Sequence, residues 1–130
     1  MIFVDSCYII ALMNTKARKH KEALKLLQLI EDESTLINST VILEILNNLS
    51  KKRYENVRQE VTNLLYEMDN IHYLTEEDYA NALNLCKYYN YGVNYSACTI
   101  IKTMEKYNVS NILSFDGDFS KVKGINRIYL

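Results

Sequence analysis

The chain has 130 residues, 48% apolar and 24% charged, which fits one folded domain with its own core. No apolar run approaches the ~20 residues that span a bilayer, so no membrane segment is expected. A formal net charge of −1, from 15 basic and 16 acidic residues, argues against a protein that wraps long duplexes and leaves only local basic patches.

Ile2-Phe3-Val4 is a short apolar run that stops at Asp5, and it reads as a buried strand. Ser6 is placed to cap a helix through Met13. Residues 17–32 carry Ala23, Leu26, Leu27 and Ile30 at helical spacing, and Thr35 to Ile37 is a second strand. Ser39 or Thr40 then caps a helix with Ile42, Ile45, Leu46 and Leu49 on one face. Val57, Val61, Leu64, Leu65 and Met68 mark another helix, and Ile71 to Leu74 a third strand. Thr75-Glu76-Glu77-Asp78 resembles a capping box and opens a helix to about Tyr89. A further helix from about Ser96 carries Ala97, Ile101 and Met104, followed by a strand from Ile112 to Phe115 that stops at Asp116. Arg127 to Leu130 reads as an edge strand. Short apolar strands separated by helices predict an α/β domain with a parallel sheet covered on both faces.

The absence of proline and the presence of only Gly92, Gly117 and Gly124 argue against linkers, so residues 1–130 are read as one unit. Cys7, Cys86 and Cys98 are odd in number and widely spaced, which suits buried thiols in a reducing cytosol. The N-terminus shows no basic leader or small-residue cleavage site, so a cytoplasmic protein is expected. Two basic runs stand out, Lys16 to Lys21 and Lys51-Lys52-Arg53, and each also reads as a solvated helix end.

Candidate chemistry lies in the acids. In parallel sheets ligands bind beyond the carboxyl ends of the strands, where the strand order reverses. Asp5 and Asp116 each follow a strand at that position, although Asp5 also suits a helix cap. Glu44 interrupts the apolar run Val41 to Leu46, so it lies either on a narrow exposed stripe or in a polar pocket. Asp116 and Asp118 flank Gly117 in a segment that also suits an Asx turn. Carboxylates crowded together raise one another's pKa, and a hard cation such as Mg²⁺ or Mn²⁺ relieves the repulsion through oxygen ligands. His20 and His72 are isolated, no His or Cys group has zinc spacing, and no glycine-rich phosphate loop is present.

Phe3-Val4-Asp5-Ser6, the stretch from Ser39 to Glu44, and Ser114-Phe115-Asp116-Gly117-Asp118-Phe119 resemble the motifs of PIN-domain nucleases. Size and motif order most resemble the VapC toxins of toxin–antitoxin pairs. The resemblance covers the whole chain and implies a five-stranded parallel sheet in the order 3-2-1-4-5, flanked by helices. It implies RNA cleavage by metal-activated water with Mg²⁺ or Mn²⁺. The implied catalytic and metal-holding residues are Asp5, Glu44 and Asp116, with Asp118 a supporting metal ligand or neighbour. A homodimer and a cognate antitoxin are the implied partners.

The chain departs from that pattern at one point. The family carries a further acid where the helix before the fourth strand begins, and this chain reads Asn94-Tyr95-Ser96-Ala97-Cys98. Ala97 occupies the expected aspartate position, through either an engineered substitution or a natural loss. An impaired metal-dependent endoribonuclease is the leading expectation. The alternative is a catalytically silent PIN-like module that binds RNA or a protein. A phosphotransferase using Asp116 and Asp118 is the weakest reading, because only 12 residues follow Asp118.

Overall fold

The computed structural model describes residues 1–129. Its elements are β1 (Ile2–Val4), α1 (Ser6–Met13), α2 (His20–Ile30), β2 (Thr35–Asn38), α3 (Ser39–Leu49), α4 (Arg58–Tyr66), β3 (Asn70–His72), α5 (Glu76–Tyr88), α6 (Tyr95–Lys106), β4 (Asn111–Leu113) and β5 (Asn126–Ile128). Short 3-10 helices fill Lys52–Val57 and Gly117–Lys121.

The sheet order is 3-2-1-4-5, as expected, and every pairing is parallel. The central strand β1 is buried along its whole length, which is why Ile2-Phe3-Val4 lacks polar alternation. Its Phe3 pairs with Leu36 on one side and Ile112 on the other, and all of these side chains are fully buried. Helix α1 packs on α2, α3 and α4, while α5 packs on α6, and α3 meets α6. Tyr8, Ile9, Ile45, Ile101 and Met104 supply the helical side of the core.

The helix starts differ from expectation. Asp5, not Ser6, caps α1, and Asn38, not Ser39 or Thr40, caps α3. Helix α6 begins at Tyr95 under an Asn94 cap, one residue earlier than expected. The capping box at Thr75 and Asp78 forms as expected. Helix α2 begins only at His20, so Ala17 to Lys19 belong to the α1–α2 connection. In the Val57-to-Met68 segment, Val57 ends the first 3-10 helix and α4 stops at Tyr66, short of Met68. The third and fourth strands stop at His72 and Leu113, short of the expected ends, and Leu130 lies outside the described residues.

Both histidines are structural. His20 Nδ1 donates to the Ala11 carbonyl at 2.8 Å. His72 is buried between Asp78 Oδ2 at 2.7 Å and the Tyr107 hydroxyl at 3.0 Å. All cysteines are free thiols, with Cys86 and Cys98 buried.

Candidate metal centre at the sheet switch point

Strands β1 and β4 are adjacent and parallel, and their chains leave the sheet at the same end. Phe3 pairs with Ile112 and Val4 with Leu113, so Asp5 and Ser114 follow at matching positions. The Asp5 amide donates to the Leu113 carbonyl at 3.1 Å, which prolongs the ladder to the site itself. The connections from β1 and β4 lead to opposite halves of the sheet, and this is where such folds open a crevice.

A cavity of about 300 Å³ lies there, lined by Asp5, Glu44 and Asp116 together with Asn94, Ser96 and Ala97. Asp5 is 5% exposed and heavily hydrogen-bonded. Its Oδ1 accepts from the Ser6 amide at 2.8 Å, and its Oδ2 accepts from the Ser114 hydroxyl at 2.6 Å and from the Cys7 thiol at 3.4 Å. The Asp116 amide donates to Ser114 Oγ at 3.0 Å, so one serine links the two strand-end aspartates. Glu44 arrives from the middle of α3, half-buried, and its Oε1 accepts from Ser6 Oγ at 3.4 Å.

Electrostatics couple these groups. Burial holds Asp5 above the ordinary carboxylate range, against hydrogen bonds that favour its charge, and the Asp116 charge adds to the rise. Burial likewise raises Glu44, with the charges of Asp5 and Asp116 pushing the same way. Burial and then Asp5 push the Cys7 thiol up to about 12, which makes it a neutral donor to Asp5 rather than a nucleophile.

Asp118 stands apart from its sequence neighbour. The 3-10 turn after Asp116 carries it to the α6 side, and it does not line the cavity. Its Oδ1 accepts from Lys121 Nζ at 2.8 Å, and its Oδ2 accepts from the backbone and side-chain nitrogens of Asn94 at 3.2 and 3.1 Å. Lys121 first, and the Asn94 amide with it, hold Asp118 below the ordinary range against its burial. Asn94 in turn caps α6 through the Ala97 amide at 2.8 Å. Asp118 therefore positions the start of the helix that presents Ala97.

Ala97 is 2% exposed and lines the same cavity as the acids. Sequence reasoning read Ser6 as a helix cap and Cys7 as a buried thiol, and gave neither of them, nor Ser114, a part in holding the acids. Ser114 entered only as the first residue of the Ser114-to-Phe119 motif, a small hydroxyl one residue past an apolar strand and two before an aspartate.

The donors suit a hard divalent cation, because all are carboxylate oxygens and some stay uncommitted. Glu44 Oε2 and Asp116 Oδ2 accept no hydrogen bond from the described residues. Among the described residues no trio of His, Cys, Asp or Glu side chains converges into a ready metal cluster. Asp5, Glu44 and Asp116 instead face one cavity, with the Ala97 methyl group at its wall.

The PIN-domain family matches residues 2–125. The chain belongs to the PIN-domain family. PIN domains are typically metal-dependent nucleases. A comparison with curated protein sequences gives no match. Among solved structures, the chain is similar to VapC20 of Mycobacterium tuberculosis, a toxin that cleaves the sarcin–ricin loop, with a TM-score of 0.86, 19% identity and full coverage of both chains. It is similar to a chain of VapBC2 from Rickettsia felis bound to a promoter DNA fragment, with a TM-score of 0.74, 13% identity and 99% coverage of each. A chain of FitAcB from Neisseria gonorrhoeae matches with a TM-score of 0.74 and 14% identity, over 98% of this chain and 96% of that one. At these identities the likeness speaks to the fold. No helix among the described residues is long and apolar enough to cross a membrane.

Proposed function

We propose that the chain is a VapC-like, divalent-metal-dependent endoribonuclease whose catalytic site is weakened by Ala97. The observation that carries this reading is that Asp5, Glu44, Asp116 and Ala97 line one cavity at the switch point of a PIN fold. Asp5, Glu44 and Asp116 would hold Mg²⁺ or Mn²⁺, and Asp118 supports the set by fixing Asn94. When bound, such an ion polarises a phosphoryl oxygen and lowers the pKa of a water.

The chain's own residues do the positioning. Ser114 holds Asp5 and the Asp116 backbone in one arrangement. Ser6 joins the α1 start to Glu44. Asp118 and Asn94 set the first turn of α6, where an acid at position 97 would meet the favourable end of the helix dipole. Alanine keeps that helix and removes the oxygen ligand.

Cleavage of a structured RNA in Mn²⁺ tests the reading. The chain with Ala97 is expected to cut slowly, and Ala97→Asp should raise the rate by at least ~10²-fold, the scale of one lost transition-state stabiliser. Asp5→Asn in the Ala97→Asp background should abolish the gain. Equal rates with and without the aspartate would remove position 97 from the site.

Ala97 also favours a second reading, a silent PIN module that binds RNA or a protein without cutting. An Ala97→Asp chain that binds RNA but cleaves none would select it. We further propose a cytoplasmic homodimer with a cognate antitoxin. Light scattering at micromolar concentration should give twice the 15.2 kDa chain mass.

A further inference from the structure

Arg18 and Lys19 of the first basic run line a cleft beside the carboxylates, and Tyr54, which directly follows the second run, lines it too. This cleft, about 300 Å³, has an aliphatic floor from α1 and Ala17, and Cys7, Arg18, Lys19, Asn48, Tyr54 and Phe115 also line it. Cys7 also lines the carboxylate cavity, so the two share a wall. Arg18 and Lys19 come from the α1–α2 connection. Lys19 Nζ sits 5.7 Å over the Phe115 ring, and Phe115 immediately precedes Asp116.

The second run does not line the cleft, but it touches two residues that do. Lys51 Nζ donates to Asn48 Oδ1 at 3.2 Å, and the Arg53 guanidinium lies 5.1 Å from the Tyr54 ring centre. Arg58 donates to the carbonyls of Leu49, Ser50 and Lys51, which holds that loop in place. The ion pairs of the described residues use the N-terminal ammonium, His72, Lys102, Lys106 and Lys121, and none uses a lysine or arginine of either run. Arg18 and Lys19, outside every ion pair of the described residues, thus place positive charge beside a pocket that would itself repel a polyanion.

We propose that this cleft binds the sugar–phosphate backbone of single-stranded RNA next to the carboxylate cavity, with Arg18 and Lys19 as principal phosphate contacts. The assignment rests on the nuclease reading of that cavity. It explains how a chain of net charge −1 can hold a polyanion over carboxylates. The shared wall at Cys7 favours RNA over an acidic protein segment, because a nucleic-acid strand lying in the cleft continues to Asp5 and Asp116.

The test is fluorescence anisotropy with a labelled single-stranded RNA and the full chain in EDTA, over a series of salt concentrations. Each phosphate contact contributes about fivefold at 0.1 M salt, so Arg18→Gln/Lys19→Gln should weaken binding roughly 25-fold and reduce the salt slope by about 1.4. Lys87→Gln/Lys123→Gln removes equal charge from the end of α5 and the segment before β5, and should leave affinity within about twofold. Lys19→Arg, which keeps the charge, should bind nearly as well as the parent. Equal losses in the two double variants, no loss in either, or no RNA binding by the parent at micromolar concentration would each overturn the proposal. An acidic protein partner for the cleft would appear as the second of these. Metal-free binding separates this question from catalysis: if Ala97→Asp fails to cleave while Arg18→Gln/Lys19→Gln loses RNA, the cleft stands and the nuclease reading falls.

Discussion

Burial opposes the charge on Asp5, and the chain answers with hydrogen bonds from Ser114, Ser6 and Cys7. Those bonds hold the carboxylate in place but leave its repulsion from Asp116 and Glu44 unrelieved. An aspartate at position 97 would add another carboxylate to the same wall, and it defines the first expectation. In EDTA, Ala97→Asp should melt at a lower temperature than the parent. With Mn²⁺ at about 100 times its Kd, binding adds ~2.7 kcal/mol, a melting shift on the order of 10 °C for a domain of this size. The parent, lacking that ligand, should shift far less at the same concentration. Equal Mn²⁺ responses, read by differential scanning fluorimetry, would show that residue 97 is no ligand. Asp116 was legible as a candidate because an aspartate ends an apolar strand. The destination of Asp118 was not, because two residues of spacing do not reveal that a 3-10 turn carries it to Asn94 and Lys121.

At the scale of elements, Asn38 decides how α3 and α6 meet. It is fully buried at the end of β2, and its Oδ1 caps α3 at the Val41 amide. Its Nδ2 donates to Thr103 Oγ1 at 3.0 Å and to the Thr99 carbonyl at 3.4 Å, both on α6. One side chain therefore sets the relation between the helix bearing Glu44 and the helix bearing Ala97, reinforced by the Thr40–Thr99 hydroxyl pair at 2.7 Å. Asn38→Ala should cost about 2–4 kcal/mol in urea unfolding, one helix cap plus buried hydrogen bonds. In the Ala97→Asp background it should also reduce the Mn²⁺ response. A loss below about 1 kcal/mol would mean that the helices hold their relation without it. The strands and helices were readable from apolar spacing, and so was the Thr75 capping box, but the caps of α1 and α3 were not settled. At Asp5-Ser6 and Asn38-Ser39 neighbouring residues are equally able to cap, and tertiary contacts choose between them.

Over the whole molecule, near-neutral charge conceals segregation: acids at the switch point, unpaired bases beside them. The basic cleft was invisible in sequence because Arg18 and Lys19 meet Asn48, Tyr54 and Phe115 only through the fold. The acids themselves divide into opposing groups. Asp5 and Glu44 are raised by burial, from ordinary values of 3.8 and 4.5. Asp118 and Asp78 are lowered, Asp118 by Lys121, and Asp78 against its burial by hydrogen bonds from Thr75 and His72. A raised acid binds its proton more tightly in the folded chain, so its contribution to stability falls as pH climbs from the unfolded value through the folded one. A lowered acid contributes fully above the unfolded value of 3.8 and loses that contribution as pH falls through its folded one. The metal-free protein should therefore be most stable under mildly acidic conditions and decline on both sides. Mn²⁺ takes only ionised carboxylates, so its stabilisation grows as pH rises through the raised values and moves the optimum upward. Thermal unfolding of Ala97→Asp between about pH 3 and pH 8, in EDTA and in Mn²⁺, reads both limbs. Asp5→Asn should flatten the neutral-side decline in EDTA and cancel most of the Mn²⁺ effect. A metal-free decline toward neutral pH that survives Asp5→Asn unchanged would place its origin outside the carboxylate cavity.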